Sequence, residues 1–590
     1  MRVKLLNIAK SAHIIFLSKV ATNSANSNLA IRIINESGHL VFAKTQFTTE
    51  NFEYTDWCFK TSLVQGYLEI NDLEGVLLLE YLVIYDSNTV FEHGVTFLRR
   101  ENNGLYLDDL NSLGNYYQRN IYRPQYHFSA YKNWINDPNG LIFHNGQYHL
   151  FYQYYPHKAE WGNMHWGHAV SKDAISWRHL PIALLPQIQD EFFGGSFSGS
   201  AIVKDEQLTL IYTHHFEDIR NKIKFQTSDF IENQELATTQ DGIHFTRILP
   251  PILNGIDRPP QASKDFRDPK VWLDKDNKYK MILGSSYEDQ LAVLIYSSTD
   301  LISWIFEGPL YIEKNIHGRC IECPDLFPLD DKYVLIASII EVINGVAKHV
   351  TRYHIGKYAN NRFTSQYNEI IDFGPSFYAV QTFDDLNGRQ GIAWLDSWQD
   401  TKKSIAGEFA GVMSLPFSLR LRGTKLQMQP LSSLEALRKL PALEFNYAAS
   451  NHRVAITPDS SFELKLRLKA TSTATNIDRL KIKLTTTSEQ EFILIQLNFA
   501  SREIFLEISE HDRCVSYCQP LEIIDNTVEM HWFFDRSALE IFFADYTLRG
   551  SCRFYWQHPL KTLTLDNPSQ CAIESWELYN LKSIWENNNG

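Results

Sequence analysis

The sequence predicts an all-β protein: a five-bladed β-propeller over residues 121–430, a β-sandwich over 444–590, and a further strand-rich unit over 1–120. Two observations lead there. Short alternating apolar runs bounded by Gly, Asn, Asp and Pro recur along the chain, as in Gly146-Gln-Tyr-His-Leu-Phe-Tyr-Gln153 and Lys278-Tyr-Lys-Met-Ile-Leu-Gly284, and alternation with such punctuation is the pattern of half-buried strands. One hairpin design also repeats five times, with starts 61, 70, 55 and 55 residues apart. That interval holds a four-stranded antiparallel sheet with its loops, and radial repetition of such sheets gives a propeller.

The repeats read DPNGLIFHNGQYHLFYQ from Asp137, SGSAIVKDEQLTLIYT from Ser198, DPKVWLDKDNKYKMILG from Asp268, CPDLFPLDDKYVLIAS from Cys323 and YAVQTFDDLNGRQGIAWLDS from Tyr378. Each pairs two apolar strands across a turn rich in Asp, Asn, Lys or Gly. Three are followed by a Ser/Thr-x-Asp turn with an aromatic four residues after the Asp: Asp173 to Trp177, Asp241 to Phe245 and Asp300 to Trp304. These predict a turn and an outer edge strand. The run LSSLEALRKL from Leu431 has helical spacing and a Ser-rich start, so 431–443 reads as a linker helix. Beyond it, Phe462–Leu468, Leu480–Leu484, Phe492–Leu497 and Leu539–Phe543 alternate again, as expected of a sandwich. Leu29–Ile34 and Val76–Ile84 give the first 120 residues the same strand-rich character.

Composition excludes several classes of function. Fifty-six Lys and Arg against 69 Asp and Glu leave a net charge of −13, which disfavours nucleic acid and anionic membrane as partners. The aromatic content of 13% serves sheet cores first and suits stacking on sugar faces second. The seven cysteines are odd in number and thinly spread, so they read as free thiols in a reducing, cytoplasmic setting. Cys320-x-x-Cys323 and Cys514-x-x-x-Cys518 lack the partners of a zinc site. Lys10, His13 and Lys19 interrupt the apolar stretch that a signal peptide needs.

In a propeller the inner strand of each blade starts near the central channel, so the opening residues of different repeats converge. Three openings set an acid beside a proline motif: Asn136-Asp137-Pro138, Arg267-Asp268-Pro269 and Glu322-Cys323-Pro324. Any one alone reads as turn punctuation; three at matching openings point to a site. Paired carboxylates in an aromatic pocket are what glycoside hydrolysis needs, one ionised and the other protonated near neutral pH. Mutual repulsion and partial burial separate their pKa values.

The set of motifs resembles glycoside hydrolase family 32, the β-fructosidases that include invertases, levanases, inulinases and sucrose-phosphate hydrolases. The resemblance rests on Tyr122–Phe128, Trp134–Gly140, Trp161–His168, Phe197–Ser200, Phe266–Lys270, Glu322–Asp325 and Phe533–Phe542, and spans about residues 122–590. It implies Asp137 as nucleophile, Glu322 as general acid and then base, and Asp268 as transition-state stabiliser. Asn136, Gln153, Trp161, Phe197, Ser198 and Arg267 would shape the fructose subsite. It also implies a retaining route with the two reacting carboxyls about 5 Å apart, a small or polymeric fructoside as substrate, and no metal or cofactor. A fructosyltransferase with the same acids, or a propeller that binds fructan without cleaving it, are the alternatives. Ile135 and Ile321 replace the family's Met and aromatic. Phe409-Ala-Gly411 stands where many members have a Trp-Gly pair, which bears on the leaving-group side. Trp394 and Ser397-Trp398-Gln399 look more like the fructan-hydrolysing members.

Overall fold

Alternating side chains make nearly every element a strand, and in the computed structural model the described residues form nine sheets. The structure describes residues 1–590 except 21–29, 45–52, 61, 72–76, 103, 188–191, 219–228, 315, 344–345, 386, 399–406, 443–452, 457–458, 471–479, 524, 568–570 and 586–590. Among the described residues helix is confined to short pieces such as Val90–His93 and Leu113–Gln118. No helix among the described residues is long and apolar enough to cross a membrane. All seven cysteines are free.

Five of the sheets follow one another between Asn133 and Pro430. Their first strands are Asn133–His144, Phe192–Lys204, Ala262–Leu273, Gly318–Leu329 and Tyr378–Asp385. Each pairs antiparallel with the strand that follows it, so all five sequence hairpins are present. These first strands contact one another in order and the fifth contacts the first, which closes a ring. The predicted turns precede outer strands: Asp173, Asp241 and Asp300 each accept two backbone N–H bonds through Oδ1, and Trp177–Leu184, Thr246–Leu253 and Ile305–Ile312 lie at sheet edges.

Chain from the last sheet laces onto the first. Phe409–Ala410 pairs parallel with Asn133 and Trp134, while Val412–Met413 pairs with Leu395 and Trp394. Gly411 between them takes φ 82°, a conformation that favours glycine, and a Cβ there would lie 2.1 Å from the Ile135 carbonyl oxygen. The Phe409-Ala-Gly411 departure is therefore a ring-closure segment: Phe409 and Ala410 are both 1% exposed.

Every first strand carries an irregularity at the same place. Two residues face one on the partner strand at Asn136-Asp137, Phe197-Ser198, Asp268-Pro269, Cys323-Pro324 and Ala379-Val380. Such bulges bend the strand and re-aim side chains. Asp268, Cys323 and Ala379 adopt positive φ there, at 64°, 47° and 55°.

The N-terminal strands form two sheets packed on each other. Ile14 and Phe16 of Ala12–Val20 point into their shared core with Leu5, Ile31, Ile33 and Leu68. The alternate residues Ile15 and Leu17 point the other way, into a core shared with Tyr152, Leu180 and Trp177 of the first ring sheet and with Trp585. The segment read as a linker helix is a six-residue 3₁₀ helix, Ser432–Leu437. Its buried residues, Leu434 and Leu437, are three apart, which matches three residues per turn. Two C-terminal sheets of six and five strands follow, sharing a core that includes Phe462, Leu464, Ile482, Ile495 and Trp532.

A buried polar network fastens these C-terminal sheets to the ring. Asp535 accepts from the backbone N–H of Gln125 at 2.7 Å and Tyr126 at 2.8 Å, from Ser461 Oγ at 2.8 Å, and from His127 Nδ1 at 2.9 Å. His127 Nε2 reaches Glu540 at 3.1 Å, and Arg549 bonds both Glu540 and Asp372. Burial lowers the His127 pKa, but its two carboxylate partners outweigh burial and hold the imidazole above its usual range.

Asp535→Ala removes one of the two carboxylates that hold His127 and the acceptor of the Gln125 and Tyr126 N–H groups, a loss of about 3–5 kcal/mol; denaturant unfolding and thermal melting should both show it, and an unchanged midpoint would contradict the network's role. Gly411→Ala forces an L-residue into a left-handed conformation against a carbonyl, at a cost on the order of 1–3 kcal/mol. It should lower the melting temperature while leaving KM for the cleaved substrate unchanged.

Candidate active site

The strand bulges bring three acids to one end of the ring from different repeats. They do so from offset positions: Asp137 is the second residue of its bulge, Asp268 the first of its own, and Glu322 the residue just before. A common opening in the sequence thus becomes three distinct angles of approach. All nine sequence-predicted residues, Asn136, Asp137, Gln153, Trp161, Phe197, Ser198, Arg267, Asp268 and Glu322, line one cleft of about 360 Å³.

Asp137 is held on both oxygens. Asn136 Nδ2 donates to Oδ1 at 3.1 Å, while Ser198 Oγ at 2.7 Å and the Cys323 thiol at 3.4 Å donate to Oδ2. Asn136 is itself fixed by Trp134 Nε1 at 2.7 Å. Burial raises the Asp137 pKa and the Glu322 charge adds to it, against the bonds from Ser198, Asn136 and Cys323. Gln153 donates to the Ser196 carbonyl at 2.9 Å and so ties the first two sheets together.

Asp268 is buried, at 6% exposure. Its Oδ2 accepts from the Cys323 backbone N–H at 2.8 Å, and its own N–H donates to Thr213 Oγ1 at 3.0 Å. Burial, only partly offset by Arg267 and reinforced by Glu322 and Asp137, pushes its carboxyl up to about 8. The free cleft therefore keeps a proton on Asp268 at neutral pH, and a protonated carboxyl can donate a hydrogen bond. Glu322 is half-buried, with an 18% exposed side chain. It accepts from Arg267 Nη2 at 2.9 Å and from the Tyr378 hydroxyl at 2.6 Å.

Arg267 is the cation at the centre of this group. Besides Glu322 it bonds Glu232 at 3.2 Å and Asp265 at 2.5 Å, and its Nη2 lies 3.0 Å from Cys320 Sγ. Burial works against its charge, but Cys320, Glu232, Glu322 and Asp265 hold the guanidinium firmly protonated. Arg267, Glu322 and Tyr378 each immediately precede their bulge in adjacent sheets, so the repeat places equivalent positions side by side.

Several functional residues lie outside the sequence-based set. Glu232, on Phe230–Thr238, accepts from the Phe266 N–H at 2.6 Å and pairs with His215 at 2.9 Å. His215 stacks on Phe197 with ring centroids 4.3 Å apart and on Phe230 at 5.0 Å. These residues sit on second and third strands, which no opening motif marks. Tyr378 opens the fifth repeat and could have been found from its position there. Trp161 forms an aromatic wall with Phe193, Phe197 and Trp398 at centroid distances of 5.0, 5.9 and 6.2 Å. Trp398 lines the cleft, whereas Trp394 is fully buried beneath it against Trp134. Trp394 thus carries no direct information about the substrate. Of the Ser397-Trp398-Gln399 run, Gln399 lies outside the described residues, as do 401–406.

Comparison with known proteins agrees with this architecture. A model of the glycosyl hydrolases family 32 N-terminal domain matches residues 127–430, and one of the family's C-terminal domain matches 433–568. The chain is similar to a sucrose-6-phosphate hydrolase of Zymomonas mobilis, 34% identical over 72% of this chain and 85% of that protein. It is also similar to an exo-inulinase of Aspergillus ficuum, 31% identical over 71% and 87%, and to a levanase of Bacillus subtilis, 30% identical over 72% and 65%. Among solved structures, a Bombyx mori β-fructofuranosidase superposes with a TM-score of 0.67 at 28% identity, covering 80% of this chain and 98% of that one. A family 32 structure from Bifidobacterium adolescentis, 20% identical, shares the fold over 99% of this chain and 100% of its own with a TM-score of 0.79.

The raised Asp268 pKa fixes the sign of a stability effect. Between about pH 4 and the folded value near 8 the folded chain holds a proton that the unfolded chain has released. Stability from this group is therefore full below pH 4 and falls as pH rises to 8. Asp268→Asn removes that titration. The melting temperature of the variant should gain on the wild type steadily from pH 5 to pH 8, and parallel profiles would show that Asp268 ionises normally.

Proposed function

The chain belongs to glycoside hydrolase family 32 and is a fructose-releasing glycosidase, and we propose that it acts through a covalent fructosyl-enzyme with Asp137 as nucleophile and Glu322 as acid and then base. The observation that carries the assignment of roles is the difference in burial: all three acids line the cleft, but Asp137 and Glu322 are half-buried while Asp268 is buried. Reacting groups must touch the substrate. A proton donor to a sugar hydroxyl can sit deeper.

An Asp137 carboxylate oxygen attacks the anomeric carbon of a fructosyl unit while the glycosidic bond breaks. Glu322 delivers its proton to the leaving oxygen. Glu322 then takes a proton from water, the water oxygen bonds to the anomeric carbon, and the bond to Asp137 breaks. Asp268 donates a hydrogen bond to a fructose hydroxyl and receives back none of the reacting electrons. Ser198, Asn136 and the Cys323 thiol keep the Asp137 oxygens aimed during both steps. Trp161, Phe197 and Trp398 supply stacking surface, and Arg319, with a 60% exposed side chain, also lines the cleft.

We read the five sheets from Asn133 to Pro430 as the blades of a five-bladed propeller, and the two sheets before Asp108 as an added N-terminal unit. The substrate is a β-fructofuranoside, either sucrose or a fructan of the levan or inulin type. A transferase outcome uses the same acids and differs only in the acceptor.

Asp137→Asn and Glu322→Gln should each lower kcat on sucrose by about 10³-fold or more with the melting temperature preserved. NMR of the first-formed product should show the β-anomer of fructose; the α-anomer would exclude a retaining route. Free fructose should accumulate from sucrose and levan, and growth of longer oligosaccharides would establish transfer instead.

A further inference from the structure

Away from the cleft, the N-terminal sheets and the second ring sheet meet at a cluster of nitrogen and oxygen donors. His13 lies on Ala12–Val20 and Asp56 on the paired strand Glu53–Cys58. His244 comes from the turn before Thr246–Leu253, where Asp241 Oδ1 accepts its backbone N–H at 2.8 Å. We propose that His13, Asp56 and His244 form a site for a zinc-like divalent metal ion that fastens the N-terminal sheets to the ring. The proposal does not rest on the glycosidase reading.

The donor atoms of the three side chains all lie within 4.8 Å of one another. His13 Nδ1 is 2.8 Å from Asp56 Oδ1 and His244 Nε2 is 3.3 Å from Asp56 Oδ2. Bonds of about 2.0–2.2 Å in a tetrahedron put neighbouring ligand atoms about 3.3 Å apart, so shifts of about an ångström bring the three donors to ligating positions. The supporting groups are those of a metal site. His244 Nδ1 is 2.6 Å from Asp241 Oδ2, the carboxylate contact that orients a ligating imidazole and turns its other nitrogen toward Asp56. Tyr85 stacks on the His13 ring at 5.0 Å, and its hydroxyl lies 2.9 Å from His244 Nε2, placing a fourth donor beside the three.

Two imidazoles and a carboxylate suit zinc or a similar transition metal, whereas calcium and magnesium prefer all-oxygen sets. Asp56 and Asp241 balance the charge of a dication. Side-chain exposures of 17% for His13, 21% for Asp56 and 43% for His244 leave an entry path from solvent. Because the ligands come from two separately built sheet systems, a bound ion stabilises their docking by mass action.

The test uses untagged full-length protein carrying Cys514→Ser and Cys518→Ser, because those two thiols are exposed and can bind zinc themselves. After chelation and dialysis it is titrated with Zn²⁺ by calorimetry and with Co²⁺ by visible absorption. One equivalent should bind with a Kd in the micromolar range or tighter. Co²⁺ should give a tetrahedral d–d band, and the melting temperature should rise with Zn²⁺. His13→Ala and His244→Ala should abolish the stoichiometric binding. Asp241→Asn should weaken it about 10–100-fold. A far-UV circular dichroism spectrum and a cooperative melting transition like those of the metal-free parent report that each variant is folded, and His13→Gln replaces His13→Ala if that variant is not. Lack of saturable binding below millimolar Zn²⁺, or binding that persists unchanged in the folded histidine variants, would overturn the proposal.

Discussion

One buried guanidinium makes the cleft possible. Carboxylates that face each other in a low-dielectric pocket repel and resist ionisation, and Arg267 answers several of them at once. It bonds Glu322, Glu232 and Asp265 from a position that is 8% exposed. A lysine could satisfy the charge but not three directions, because only the planar fork presents fixed donors to separate partners. The Asp268 carboxyl accepts from the Cys323 backbone N–H, and the Arg267 charge offsets only part of the effect of its burial, so its pKa stays raised.

The ring geometry delivers those groups to one place. Residues that precede a bulge in neighbouring sheets end up side by side, which is why Arg267, Glu322 and Tyr378 form a continuous chain across three sheets. The bulges then turn Asp137, Ser198 and Asp268 toward the same space. Such placement tolerates little movement, and the surroundings supply rigidity. The closure strand Phe409–Ala410 locks the first sheet to the last, the Asp535–His127–Glu540–Arg549 network clamps the C-terminal sheets beneath, and the alternate face of the N-terminal sheet merges into the first ring sheet's core.

Much of this was legible in the sequence because it rests on local pattern. Period-two alternation marked the strands, turn chemistry at Asp173, Asp241 and Asp300 marked the edges, and a repeat of hairpins marked the ring. The nine residues chosen from repeat openings and motifs all reached the cleft, since openings of inner strands converge by topology. Where the reading went astray, local pattern was the wrong guide. Phe409-Ala-Gly411 reads as a departure from a motif, and its place between two pairing strands shows only in the fold. Trp394 shares a motif with Trp398, but Trp394 is buried within the strand Gly388–Leu395 while Trp398, past the strand's end, is half-buried and lines the cleft. The helical spacing at 431–440 was real, and the burial of Leu434 and Leu437 three residues apart suited a tighter helix than expected.

By itself, then, the sequence determined that the chain is all-β, that hairpins repeat, and that Asp137, Asp268 and Glu322 stand at strand openings, because each of these depends on neighbours a few residues away. The tertiary structure alone decided which acid keeps its proton, and that Glu232, His215 and Tyr378 join the site. It also set His13 and Asp56 beside His244. These outcomes depend on burial and on side chains brought together from positions tens to hundreds of residues apart, and neither quantity is written in any local stretch of the chain.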